Sequence, residues 1–198
     1  ATLGRLTCTN KVADLAGCDL VIESVIEDLE EKKRLFASLE GVVNEKAIFA
    51  SNTSTLSITA LAEATKRPTR VIGLHFFNPA PVMKLVEIVP TLRTDAAVVG
   101  AAQLFLERLK KTGVLIRDFT GFVVNRLLTP YMVDAMRTVQ EGLASIAAID
   151  SAMQLGANHP MGPLALADFI GLDIVFHMSN NLYDEYREAR FTPPPLLR

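Results

Sequence analysis

The spacing of apolar positions changes once along the chain. Up to about residue 120, short continuous apolar runs alternate with stretches at helical spacing; beyond it, only helical spacing is found. Asp19–Val25 is a run of the near-continuous kind found in parallel sheets, and Ala47–Ala50, Val71–Phe77, Lys84–Val89 and Val114–Ile116 are further strands. Arg5–Thr9 reads as an edge strand ahead of them. Glu27 opens a helix with acids in its first turn and bases after them, as the helix dipole favours. Leu29, Leu35, Phe36, Leu39, Val42 and Val43 give that helix one apolar face. Ser57 is expected to cap a short helix through Ala64, and Thr94 a longer one from Asp95 to about Lys111, stopped by Gly113. The order β-α-β-α-β-β-α-β predicts an α/β sheet, mostly parallel.

From Gly121 onward the pattern predicts helices alone. One runs from Phe122 to about Gln140, with Pro130 inside it as an expected kink and Gly142 at its end. Ser145 caps a second through Leu155, Pro163 starts a third through Phe169, and Leu172 to about Ala189 forms the last. Thr192–Pro195 is expected to be extended. Two domains follow, residues 1–120 and 121–198.

Composition narrows the function classes. Of 198 residues, 49% are hydrophobic and 21% charged, which is ample for a core. A formal net charge of −2 leaves no electrostatic footprint for nucleic acid or an anionic membrane surface. No apolar run is long enough to span a bilayer. Cys8 and Cys18 match no metal spacing and read as buried, reduced thiols. The expectation is a cytoplasmic globular protein.

Candidate chemistry centres on two titratable groups in apolar runs, His75 at the end of one and Glu87 in the middle of the next. Burying an unpaired charge is costly, so facing runs that each hold one suggest a His–carboxylate pair. A carboxylate on one ring nitrogen fixes the tautomer and leaves the other to act as a base near neutral pH. A core histidine bonded to a carboxylate purely for structure is an equally good reading of this pattern. Ser51-Asn52-Thr53-Ser54-Thr55, at the carboxyl end of a strand, suits either a ligand-facing loop or local capping. No two glycines are separated by a single residue, so the chain contains no GxGxxG fingerprint. A P-loop, an HExxH zinc site and a GxSxG elbow are likewise absent.

Taken together, Ser51-Asn52-Thr53-Ser54, His75-Phe76-Phe77-Asn78-Pro79, Lys84-Leu85-Val86-Glu87 and Gly121 through Leu128 resemble the L-3-hydroxyacyl-CoA dehydrogenase family. Leu155-Gly156, His159 through Pro163 and Asp168 through Asp173 extend the resemblance over essentially the whole chain. It implies a Rossmann-like α/β domain, truncated at its N-terminus, followed by an all-α domain for substrate and dimerisation. It also implies NAD as cofactor, a short-chain acyl-CoA such as 3-hydroxybutyryl-CoA as substrate, and a homodimer. His75 would be the general base and Glu87 would hold and polarise it. Ser54 would lie near the substrate oxygens and nicotinamide, Asn125 would position the reacting carbonyl, and Asn78 would help place cofactor or substrate. Glu27 and Lys32 match positions used near the cofactor ribose and nicotinamide. The plainer reading of both is strong: charges on the first turns of a helix are usually just solvated.

The family pattern also includes a first strand, a glycine-rich phosphate loop and an acidic residue for the adenine ribose, which would lie before Ala1. On that basis the chain is expected to bind NAD very weakly and to need a partner chain for its open sheet edge. Near Gly121 the family's Thr-Pro-Gly is here Phe119-Thr120-Gly121, which implies a looser approach to the long helix. Two alternatives stand beside the dehydrogenase: a non-catalytic dimerising remnant, and a domain of a multifunctional β-oxidation protein.

Overall fold

The computed structural model describes residues 3–198. The chain divides into two compact units, Ala1–Asp118 and Phe119–Arg198. The first unit holds strands β1 (Leu20–Glu23), β2 (Ile48–Ser51), β3 (Val71–Phe76), β4 (Leu85–Pro90) and β5 (Thr112–Leu115). Its helices are α1 (Leu29–Leu39), α2 (Ile58–Glu63) and α3 (Ala96–Arg108), so strands and helices follow the predicted order. The sheet order is β1-β2-β3-β4-β5, parallel throughout except for the antiparallel pair β3–β4. That single reversal comes from the tight turn after Phe76, where Val82 and Met83 both donate to the Pro79 carbonyl.

Alternation along the strands gives the sheet two covered faces. Ile48, Ala50, Ile72, Leu74, Val86 and Ile88 point to one, where Val98, Ala102 and Leu106 of α3, spaced one turn apart, complete the core. Phe49, Val71, Gly73 and Val89 point to the other, against α1 and α2; Phe36 and Phe49 stack at 5.3 Å. Gly73 permits the close approach of α2, since a Cβ there would lie 2.9 Å from Ile58 and 2.8 Å from Val89. β1 and β5 form the edges. β1 alternates rather than reading as continuously buried: Glu23 is buried whereas Ile22 is exposed.

Several local expectations are corrected. Residues 5–9 form no strand; a 3-10 turn spans Leu3–Arg5 and the chain then runs irregularly, with no ladder partner for its backbone. Consequently Cys8 is exposed and Cys18 half-buried, not core thiols. Thr94 does not cap α3. Its hydroxyl accepts from Thr91 N–H at 2.8 Å and donates to the Val71 carbonyl at 2.7 Å, tying the end of β4 to β3, and Asp95 takes the cap position. α3 ends at Arg108, with Lys110 in the left-handed region, while Gly113 lies inside β5, where a Cβ would meet Ile88 at 2.6 Å.

The second unit is all helical: α4 (Val124–Gln140), α5 (Ile146–Gly156), α6 (Pro163–Ile170) and α7 (Leu172–Tyr186). Met132 and Met136 of α4 pack with Ala167 and Val175. α4 runs continuously through Pro130 and ends before Gly142 at φ 73°. Ser145 caps α5 by accepting from Ala148 N–H at 3.3 Å. α7 stops at Tyr186, three residues short of the expected Ala189, because Arg187 turns left-handed and a 3-10 turn, Ala189–Phe191, brings Phe191 into the core. Ser179 holds that turn by donating to the Phe191 carbonyl. The tail is not fully extended, since Pro195–Leu197 closes a second 3-10 turn with proline at its first position, where the missing N–H costs nothing.

Candidate active site

Because β3 and β4 pair antiparallel with His75 opposite Glu87, both side chains project to the same face of the sheet from adjacent strands. Nδ1 of His75 lies 2.7 Å from Oε2 of Glu87, and the two residues are 4% and 1% exposed. Water therefore contributes little to the pair. The ring of Phe77 lies 4.5 Å from the imidazole, at 52°, and closes one side of it.

Beside this pair, at the carboxyl ends of β1 and β2, stands a second charged cluster. Lys32, on the first turn of α1, is 1% exposed. Its Nζ lies 2.6 Å from Oε1 of Glu23 and 3.2 Å from Oε2 of Glu27, and donates to the Val25 carbonyl at 3.3 Å. Lys32 is thus not a solvated first-turn base, since three acceptors hold its ammonium inside. Glu27 is not simply solvated either. Its Oε1 accepts from Thr53 Oγ1 at 2.5 Å and from the N–H groups of Ser54 and Thr55 at 2.9 and 3.2 Å. Burial pushes the Glu27 carboxyl up, but the Thr53 and Ser54 hydrogen bonds and the Lys32 charge outweigh it, and the group sits below its ordinary value.

The hydroxyl-rich loop of residues 51–55 is therefore partly self-supporting. Ser51 Oγ donates to Glu23 Oε2 at 2.6 Å, while Thr53 Oγ1 accepts from Leu56 N–H at 3.0 Å. Asn52 continues the ladder where β2 ends. Its side-chain oxygen accepts from Phe76 N–H at 2.8 Å, one residue beyond His75, and its amide donates to Ser24 Oγ at 3.1 Å. At the far end Asp118 accepts from the N–H groups of Ile58 and Thr59 at 3.0 and 2.7 Å, satisfying the first donors of α2. Ser54 is accordingly held by its backbone N–H on the Glu27 carboxylate. Asn78 is exposed in the turn after β3, on the same carboxyl edge.

Asn125 belongs to the second unit, where it is half-buried on the first turn of α4. The approach to that helix is well held despite lacking a proline. Gly121 at φ 79° and Phe122 at φ 50° make the turn, and a Cβ on Gly121 would stand 2.6 Å from Leu182. Tyr186 donates to the Thr120 carbonyl at 2.9 Å, with the Arg126 guanidinium 4.1 Å above its ring.

Sequence reasoning placed His75 and Glu87 on facing strands and singled out the loop that holds Asn52, but it missed Glu23 and Asp118. An acid closing an apolar run was the available signal for Glu23, of the same kind that singled out His75.

The comparisons agree over the whole length. The family model "3-hydroxyacyl-CoA dehydrogenase, NAD binding domain" matches residues 1–119, and "3-hydroxyacyl-CoA dehydrogenase, C-terminal domain" matches residues 121–198. A 3-hydroxybutyryl-CoA dehydrogenase of Bradyrhizobium diazoefficiens is 47% identical over 98% of this chain and 67% of its own. The mitochondrial hydroxyacyl-coenzyme A dehydrogenase of Sus scrofa is 43% identical over 96% of this chain and 61% of its own. Among solved structures, the (S)-3-hydroxybutyryl-CoA dehydrogenase of Ralstonia eutropha superposes with TM-score 0.95 at 43% identity, covering 99% of this chain and 69% of that one. A mostly parallel five-stranded sheet followed by a helical unit, matched by both family models in order, makes the chain a member of the 3-hydroxyacyl-CoA dehydrogenase family.

Proposed function

We propose that this protein oxidises a short-chain L-3-hydroxyacyl-CoA, such as 3-hydroxybutyryl-CoA, to the 3-ketoacyl-CoA, and catalyses the reverse. The observation that carries the proposal is the buried 2.7 Å contact between His75 and Glu87. With Nδ1 directed at the carboxylate, proton exchange with the substrate hydroxyl takes place at Nε2. Glu87 orients the ring and stabilises the imidazolium that forms when the proton arrives. Ser54 and Asn125 orient the substrate oxygen, and Asn78 helps place substrate or cofactor.

The first unit fits NAD at the carboxyl ends of β1, β2 and β3, where α/β sheets bind their ligands. Val25 and Ile26 offer exposed apolar surface there, 46% and 69% accessible, and the partly exposed Glu27 carboxylate is an acceptor suited to ribose hydroxyls. Glu27 and Ser54 would touch the ribose and nicotinamide, with Lys32 holding Glu27 from beneath. NAD, when bound, supplies the acceptor for the hydride that leaves C3 of the substrate.

The test is an assay of the chain with NAD and L-3-hydroxybutyryl-CoA, and with NADH and acetoacetyl-CoA. With NAD raised to offset weak binding, turnover in both directions is expected, together with its loss in His75→Gln; an inactive, folded wild-type chain at such concentrations would favour a non-catalytic dimerising remnant. The helical unit is read as a homodimerisation surface because Leu127, Leu143, Leu155 and Phe169 are 65 to 88% exposed. Light scattering at micromolar concentration should give a dimer, and a monomer would remove this part of the proposal.

A further inference from the structure

Glu23 closes β1 with its side chain 3% exposed and both oxygens engaged. Oε1 accepts from Lys32 Nζ at 2.6 Å and from Val25 N–H at 2.7 Å, and Oε2 accepts from Ser51 Oγ at 2.6 Å. Glu27 alone would neutralise Lys32, so the second carboxylate is not needed for charge balance; its addition leaves the cluster at net −1. Removing charges from water is expensive, and since Glu27 already meets Lys32 from the solvent side, a second, fully buried carboxylate is a poor source of stability. What the second carboxylate adds is direction.

We propose that Glu23 is a positioning residue for the Ser54 loop: through Lys32 it sets where the Glu27 carboxylate stands, and thereby the backbone that meets the cofactor. The two oxygens of Glu27 divide the work. Oε2 faces Lys32 Nζ at 3.2 Å, and Oε1 takes Thr53 Oγ1, Ser54 N–H and Thr55 N–H. Turning that carboxylate to follow a displaced ammonium moves the acceptor away from both loop amides. Lys32 is kept from swinging because Glu23 and the Val25 carbonyl hold it from the strand side. Glu23 itself is locked to β2 by Ser51, its register partner. The path from strand register to loop position thus runs Ser51, Glu23, Lys32, Glu27, Ser54. Its bearing on NAD rests on the dehydrogenase reading; the path itself does not.

The decisive experiment is amide hydrogen exchange, read by NMR, on Glu23→Gln, which keeps the shape and removes the charge. The Ser54 and Thr55 amides should exchange roughly tenfold faster, as loss of one well-placed hydrogen bond allows, while Ile72 and Leu74 in β3 stay unchanged. In the kinetic arm KM for NAD should rise severalfold. A lowered melting temperature with unaltered exchange at Ser54 and Thr55 and an unaltered KM for NAD would show a merely structural carboxylate and overturn the proposal. If Glu23→Gln does not fold, Glu23→Asp keeps every charge and draws the carboxylate back from Lys32 and Ser51 without removing a side chain from the loop. It should still quicken the same two amides about two- to threefold, and no change there would equally overturn the proposal. Exchange needs no cofactor. A wild-type chain without NAD-linked turnover would therefore defeat the functional reading, and the two amides would still decide whether Glu23 holds the loop.

Discussion

The His75–Glu87 pair and Glu23 of the Glu23–Lys32–Glu27 cluster project from the same face of one sheet, and the chain builds pair and cluster by different routes. His75 and Glu87 sit on adjacent antiparallel strands in direct register, so the sheet ladder brings them to their 2.7 Å contact. Glu23, Glu27 and Lys32 come from a strand end, a loop and a helix, and are joined by side chains rather than by a ladder. The pair is isolated from water, whereas the cluster reaches it through Glu27, whose side chain is 38% exposed. A proton acceptor benefits from a rigid, dry setting, and a group that must meet an incoming nucleotide benefits from one edge left open. On the proposed function, the difference separates proton handling, built into the core, from ligand positioning, built into the rim.

That contrast can be broken most forcefully at the pair. His75→Gln should lower kcat by about 10²- to 10⁴-fold with a much smaller effect on KM, because the lost proton transfer acts in the transition state. Steady-state kinetics in both directions measures it, and retained turnover would return the pair to a structural role. Lys32→Met probes the cluster. It leaves two carboxylates facing each other without their cation and should cost about 3–5 kcal/mol in denaturant unfolding, towards the lower value because Glu27 reaches solvent. A loss below about 1 kcal/mol would place the cluster with ordinary surface ion pairs. A control in the other unit, Ser145→Ala, removes a helix cap and should cost about 1 kcal/mol with kcat unchanged.

The same contrast explains what could be read from the sequence. Strands, helices and their order were legible because each carries a period, and His75 and Glu87 were legible because charge interrupts apolar runs that must pair. Lys32 was not. A lysine four residues beyond an N-cap aspartate looks solvated, and its acceptors at 23 and 27 lie outside the helix whose periodicity would have placed it. Glu23 lay unremarked inside the run Asp19–Val25, because nothing local says that Ser51 stands opposite. Thr94 and Gly113 failed as cap and stop for a related reason. Each suits its local role by composition, yet a tertiary contact, with Val71 in one case and Ile88 in the other, claimed it first. Residues 5–9 had strand composition without an available ladder. Local chemistry proposes, and partners distant in sequence dispose.

The smallest effect is also the one that most sharpens the comparison, and its sign follows from Glu27. The folded-state value of this carboxyl is depressed, so its ionised form is favoured by folding. Stability from such a group is fully present above the unfolded value and is lost as pH falls through the folded one. The Ser54 loop should therefore keep its amide protection from neutral pH down through the ordinary carboxylate range. It should lose that protection only below this range, when Glu27 takes up a proton and one lone pair is withdrawn from the loop donors. Partial exposure of Glu27 means that salt should weaken the effect. Hydrogen exchange at Ser54 and Thr55 across acid pH measures it directly, with the β3 amides of Ile72 and Leu74 as an internal reference. Protection lost already in the middle of the ordinary carboxylate range would mean that Glu27 is held no more tightly than a surface acid. The rim would then be no more than the solvated helix start that its sequence suggests.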